Sequence, residues 1–200
     1  MALTDILSSP LVYDVFQYIA RGTRYAPVFV EKYIKARPGD RVLDIGCGTG
    51  VLLDYLPKVE YYGFDMSSHY IAACRKRYGS KGTFVEKELT PDSVSDYDSC
   101  DVVVATGVVH HLDDEAASNL FAVANAALRP GGRLVTLDGC YAPGQSTIAK
   151  ILLDNDRGRF VRTEAAYREL ASSVFPKVTA NVLHDIFRVP YTNIIMECTK

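Results

Sequence analysis

The sequence predicts an α/β fold: a mostly parallel sheet with helices on both of its faces. Three observations predict it. Short apolar runs alternate with stretches of helical periodicity along the whole chain, the pattern of repeated β-α units. The first run, Val42-Leu43-Asp44-Ile45, passes straight into Gly46-Cys47-Gly48-Thr49-Gly50. A strand that turns through alternating glycines presents backbone N–H groups and lets a ligand approach without a Cβ in the way. A second run, Tyr61-Tyr62-Gly63-Phe64, ends in Asp65 about twenty residues further on, where α/β nucleotide sites place the carboxylate that accepts hydrogen bonds from ribose hydroxyls.

Whole-chain properties narrow the class. With 200 residues, 48% of them hydrophobic and 23% charged, the chain has the balance of a globular protein with one domain. Residues 1–36 form an N-terminal helical segment and residues 37–200 the sheet core. A net charge of −2 and an isoelectric point near 6.1 argue against a nucleic-acid partner, which favours a basic surface. The five cysteines, at 47, 74, 100, 140 and 198, form no C-x-x-C pair. They read as reduced thiols of a cytoplasmic protein, without a disulfide framework or a metal site. The start of the chain lacks the charged-then-apolar pattern of a signal peptide, and no stretch has the length and apolarity of a membrane span.

Each element follows in order. Leu3, Ile6, Leu7, Leu11, Val12, Val15, Phe16 and Ile19 recur at helical spacing, broken by Ser8-Ser9-Pro10. After Gly22, Val28, Phe29, Tyr33 and Ile34 suggest a third helix. Tyr13, Tyr18 and Tyr25 either line a lid over a ligand or cover the edge of the sheet. Pro38-Gly39-Asp40 turns the chain into strand one at Arg41, and Val51, Leu52, Leu53, Tyr55 and Leu56 read as a helix after the glycines. Strand two spans 59–65. Ser67 then caps a helix with Ile71, Ala72 and Cys74 on its apolar face and Arg75-Lys76-Arg77 at its solvated end. Met66 packs either on a ligand's ring or in the core.

Thr83-Phe84-Val85 is a short third strand, and the polar stretch 90–97 a short helix or loop. Asp101-Val102-Val103-Val104-Ala105 reads as a fourth strand buried on both faces. It ends in Thr106-Gly107-Val108-Val109-His110-His111-Leu112-Asp113-Asp114, at the sheet edge where open α/β folds bind ligands. Histidine there supplies a general base near neutral pH, or else simply a polar helix start with Asp113 or Asp114 as cap. A helix over 115–128 stops at Arg129-Pro130-Gly131-Gly132, and strand five covers 133–138. Asp138 and Tyr141 lie at its end. Arg157, Arg159 and Arg162 surround Gly158, either an anion anchor or a solvated loop. Thr163 caps a helix through Ala171, and 174–187 and 191–199 form two closing strands, with His184, Arg188 and Tyr191 near the joint.

The spacing of the glycines separates the candidate families. A dinucleotide fingerprint needs glycine where Val51 stands, and no Gly-Lys-Ser/Thr follows to make a P-loop. The run Asp44 to Gly50 followed by Asp65 resembles the class I S-adenosylmethionine-dependent methyltransferases, over roughly residues 40–140. His110-His111-Leu112-Asp113 is similar to a stretch found in their small-molecule branch. The Asn/Asp-Pro-Pro-Tyr motif of the DNA-adenine and glutamine-amide branches is absent at 106–109.

The resemblance implies a Rossmann-like, seven-stranded methyltransferase sheet with a C-terminal antiparallel hairpin. It implies S-adenosyl-L-methionine as cofactor and S-adenosyl-L-homocysteine as product. The cofactor positions it implies are Asp44, Gly46, Cys47, Gly48, Gly50, Asp65, Met66, Glu88, Leu89, Thr106 and Gly107. The expected activity is methyl transfer to a small-molecule acceptor, an oxygen first. His110 and His111 are candidate bases, and Tyr18, Tyr141, Arg157, Arg159 and Arg162 candidate substrate contacts. A monomer or homodimer is expected. A cofactor-binding subunit without turnover is the alternative, and a nicotinamide-dependent reductase the third reading.

Overall fold

A computed structural model describes residues 25–91, 94–156, 158–184, 186–187 and 189–200. Leu3 to Ile19, with Tyr13 and Tyr18, and also Arg157 and Arg188, lie outside the described residues. Among the described residues the sheet has eight strands: β1 (Arg41–Ile45), β2 (Glu60–Asp65), β3 (Thr83–Glu86), β4 (Cys100–Thr106), β5 (Leu128–Tyr141), β6 (Arg162–Thr163), β7 (Lys177–Leu183) and β8 (Asn193–Thr199). Seven run in the order β3-β2-β1-β4-β5-β8-β7, and β6 pairs with the end of β5. Strands β1 to β5 are parallel, and β8 lies antiparallel to both β5 and β7. This is the Rossmann-like sheet expected, with the two-residue β6 added.

Alternation along the central strands divides the core between two faces. Val42, Val102, Val104 and Val135 join one cluster with Tyr61, Ile71 and Cys74, under helix α1 (Ser68–Tyr78) and residues 29–34. Leu43, Val103, Ala105 and Leu134 join the other with Phe121 and Tyr167, from helices α2 (Asp114–Ala127) and α4 (Glu164–Ser172). Each such aliphatic side chain, taken fully out of water, contributes about 1.5–3 kcal/mol. Helix α3 (Thr147–Asp154) lies against β5. Caps sit where short polar residues precede apolar runs: Ser67, Asp113, Ser146 and Thr163 accept from the amides of Tyr70, Ala116, Ala149 and Ala166.

Two elements differ from expectation. The stretch after the glycines is a 3₁₀ turn, Val51–Asp54, and not a helix. Pro57 and the start of β2 at Glu60 leave too little chain for a helix to develop. Strand β5 begins earlier than expected, at Leu128, which pairs with Cys100 before the register shifts and Arg133 pairs with Val102. Arg129-Pro130-Gly131-Gly132 is therefore an irregular strand start rather than a separate turn. Residues 25–34 are helical, closing in a π turn at Val30–Ile34. Among the described residues no helix is long and apolar enough to cross a membrane.

Candidate functional site

The parallel strands end at one edge, and a cavity of about 480 Å³ opens there. Its floor is the β1 end and the glycine turn, with Asp44, Gly46, Cys47, Gly48 and Thr49. Thr106, Gly107 and His110 enter from the end of β4, Leu137 and Gly139 from β5, and Asp156 from the loop after α3. Tyr191 and Asn193 come from the start of β8, and Tyr25 and Phe29 from the N-terminal side.

The glycine turn is built for close approach. Gly46 has φ +71°, and a Cβ there would lie 2.5 Å from Val108. At Gly48, φ +54°, a Cβ would meet nothing within 4 Å and would project into open space. The amides of the turn, however, are spent internally. Gly46 and Cys47 both donate to the Phe64 carbonyl, at 2.8 and 2.9 Å, and Gly48 donates to Asp65 Oδ2 at 2.9 Å. The expected array of free N–H donors is thus absent at these three residues. A nest of amides suits phosphate oxygens; a ligand that brings positive charge gains nothing from it.

The electrostatics of the floor are those of a site for a cation. Asp44 is 1% exposed, and its Oδ2 accepts from the Tyr61 hydroxyl at 2.6 Å. Among the described residues its buried Oδ1 has no hydrogen-bond partner. Burial, with a smaller repulsion from Asp65, pushes the Asp44 carboxyl up to about 7, against the opposing pull of the Tyr61 bond. Such an orphaned buried acceptor is costly until a donor meets it. Burial likewise pushes the Cys47 thiol up, so that it lines the cavity as a neutral group. Asp65, which holds the turn through Oδ2, accepts from Ser67 N through Oδ1 at 2.8 Å.

His110 is held on several sides. Its Nδ1 donates to Asp138 Oδ1 at 2.8 Å, and the same oxygen accepts its backbone N–H at 3.2 Å. Phe160 N donates to its carbonyl at 3.0 Å, and a Cβ at Gly158 would sit 1.9 Å from its Cδ2. Asp156 Oδ1 stands 3.8 Å from Nε2. Asp156 in turn accepts from Gly158 N at 3.0 Å and, through Oδ2, from the Tyr191 hydroxyl.

The remaining expected site residues fall into two groups. Asp44, Gly46, Cys47, Gly48, Thr106, Gly107 and His110 all line the cavity. The His111 ring lies tilted against that of His110, 4.2 Å between centroids, and His111 is exposed. Met66 is 75% exposed next to Asp65, and Glu88 is exposed as well. Leu89 is part of the core beneath α2, which makes it a packing residue. Tyr141 donates to Asp154 Oδ1 at 2.8 Å, away from the cavity lining, and Arg159 is exposed.

Arg162 needs the largest revision, because its side chain is 8% exposed and fully engaged. It donates to Asp114 Oδ1 at 2.8 and 2.9 Å and to the carbonyls of Val109, Leu112 and Phe160 at 3.2, 2.7 and 2.9 Å. No guanidinium donor is left over for a substrate carboxylate, so Arg162 clamps the turn that carries His110 instead. Sequence reasoning missed Asp156 and Asn193 as lining residues. The signal that finds them is tertiary, since β8 lies between β5 and β7.

A glycine turn after β1, an acid at the end of β2 and a cavity across the parallel edge are the features of an α/β nucleoside-binding site. Residues 43–134 match a family model described as a methyltransferase domain. Phosphoethanolamine N-methyltransferase 1 of Arabidopsis thaliana is 32% identical over 120 residues, covering 58% of this chain and 24% of that protein. The chain spans between 24% and 40% of the length of the first several curated relatives it matches. Two solved structures share the fold. Phosphoethanolamine N-methyltransferase 2 of Haemonchus contortus, solved with phosphomonomethylethanolamine and S-adenosylhomocysteine, superposes with TM-score 0.72 at 16% identity, over 100% of this chain and 61% of that one. An S-adenosylmethionine-dependent methyltransferase from Archaeoglobus fulgidus gives 0.70 at 18% identity, over 94% and 99%. The match to a methyltransferase domain thus covers residues 43–134, and the two solved structures share the fold around it.

Proposed function

We propose that this chain transfers the methyl group of S-adenosylmethionine to a small molecule held in the cavity, with His110 as the group that takes the acceptor's proton. The observation that carries the reading is Asp44. Its buried, partnerless Oδ1 belongs to a residue on the floor of the same cavity that His110 lines, and it fits the ammonium of the cofactor's methionyl part. Asp65 fits the ribose hydroxyls, since each of its oxygens keeps a lone pair after accepting one amide. Gly46 to Gly48 provide the close approach. When bound, the cofactor would supply a sulfonium-activated methyl group, whose attack by an acceptor lone pair displaces the thioether S-adenosylhomocysteine.

The chain's own work is then positioning and proton handling. The Asp138 carboxylate keeps the His110 proton on Nδ1, which leaves Nε2 to accept. Tyr25 and Phe29 cover the cavity from the N-terminal side, which supports a lid role for this part of residues 1–36. A small acceptor, no nucleic acid, a cytoplasmic setting and a monomer or homodimer complete the proposal. The test is a calorimetric titration with S-adenosylhomocysteine, followed by a screen of small amines, alcohols, phenols and acids for its release from S-adenosylmethionine. Tight binding with no release for any acceptor would favour a binding-only subunit. Absence of binding would refute the proposal.

A further inference from the structure

His110 and Asp156 set two hydrogen-bond acceptors against each other in the cavity wall. The proton between His110 and Asp138 stays on Nδ1, because the carboxylate oxygen at 2.8 Å can only accept. Nε2 of the neutral ring is then an acceptor, and so is Asp156 Oδ1, 3.8 Å away. That separation is too long for a direct bond and short enough for one donor atom to reach both. Neither group is free to turn aside. The ring is fixed by Asp138 and packed by Gly158, where even a Cβ would come within 1.9 Å of it. The carboxylate is oriented by the Gly158 amide at 3.0 Å and by the Tyr191 hydroxyl.

A donor at about 2.8 Å from both acceptors sees them at an angle of about 85°, within bending range of two N–H bonds on one tetrahedral nitrogen. A hydroxyl brings one proton. It can satisfy His110 only by turning its own lone pairs toward the Asp156 carboxylate, and a carboxylic acid anion brings no proton at all. We infer that Asp156 is a specificity-determining residue that selects an acceptor nitrogen carrying at least two N–H bonds, a primary amine or its ammonium form, over an oxygen acceptor. One N–H faces Nε2 and gives up its proton there, while the other stays on Asp156 and holds the nitrogen in place. The inference rests on the reading of this cavity as the acceptor site of a methyltransferase.

The chain has four histidines, so the ring signals of a protein labelled with ¹⁵N-histidine can be assigned, His110 by its loss in His110→Ala. The protein is saturated with S-adenosylhomocysteine and titrated separately with ethylammonium chloride, ethanol and sodium acetate. Ethylammonium alone should shift the His110 signals saturably. Asp156→Asn should raise the half-saturating concentration about tenfold or more, through loss of a charge-assisted bond. Tyr191→Phe keeps the carboxylate and removes one of its orienting bonds, so it should cost about threefold. An equal response to ethanol or acetate, no response to ethylammonium, or an unchanged titration in Asp156→Asn would overturn the assignment. If S-adenosylhomocysteine itself fails to bind, the methyltransferase reading falls, and the two failures are told apart in the same tube.

Discussion

Asp44 makes the ligand-free protein less stable at neutral pH than in mild acid, and replacing it with asparagine should remove that dependence. Its carboxyl is raised from 3.8 to about 7 by burial, and the native state therefore binds a proton that the unfolded state has lost. The sign follows. The contribution is fully present below the unfolded value, falls as pH rises, and is gone above the folded value. A shift of about 3 units at ~1.36 kcal/mol per unit is about 4 kcal/mol, of which about 2.5 kcal/mol falls between pH 5 and pH 8. Asp44→Asn keeps an oxygen for the Tyr61 hydroxyl and never ionises. Urea unfolding of both proteins without ligand, at pH 5, 6, 7 and 8, gives a difference curve that isolates this one group. It should slope by about 2.5 kcal/mol, with the variant gaining on the wild type as pH rises. S-adenosylhomocysteine, whose ammonium favours the ionised carboxylate, should bind with proton release at pH 6 and with almost none at pH 8, seen by calorimetry in buffers of different ionisation enthalpy. A difference curve flat to within about 1 kcal/mol would refute the assignment of a buried, proton-binding Asp44.

Further outcomes are expected at five positions. Asp65→Ala removes the acceptor of Gly48 N and Ser67 N that the proposed function gives to the ribose, so S-adenosylhomocysteine affinity should drop at least about tenfold by calorimetry. His110→Ala should lose about 10² to 10⁴ in turnover with cofactor affinity held. Gly158→Ala should lower kcat as well, by displacing the ring that a Cβ would approach to 1.9 Å, and a crystal structure of that variant would show the shift. Arg162→Ala strips donors from the carbonyls of Val109, Leu112 and Phe160 and should cost on the order of 3 kcal/mol in urea unfolding. Asp114→Asn, at a side chain 80% exposed, should cost well under half as much.

What the sequence made legible was whatever is local. The run from Val42 to Gly50 announces a strand, a turn and a close approach within nine residues, and Asp65 follows at the spacing that β-α-β geometry imposes. His110 was legible because the end of a doubly buried strand has only one place to deliver its next residues. Tertiary burial decided the rest. Arg157, Arg159 and Arg162 look alike in sequence, yet Arg162 is buried under the His110 turn and Arg159 is exposed. Leu89 follows an exposed glutamate at a strand end and still turns into the core. Asp156 looked like one acid among several in a polar loop. Its role depends on Tyr191, which reaches it from the far end of the chain only because β8 runs beside β5. The turn at Val51–Asp54 was misread because apolar periodicity says nothing about how little chain remains before the next strand.

The placement of β8 between β5 and β7 also sets an order on assembly. During synthesis β7 emerges before β8, yet among the described residues its only partner in the sheet is β8, whose other edge pairs with β5 from Arg133 to Gly139. Until β8 arrives, β5 has an open edge, and the segment bearing Lys177 to Leu183 has no ladder to join. Asn193, which opens β8, and Tyr191 just before it therefore reach the cavity in the same step that seals the sheet. A nascent chain halted before residue 191 would lack the Tyr191 and Asn193 side of the cavity and the Tyr191 bond that orients Asp156, so the site is completed together with the final closure of the sheet.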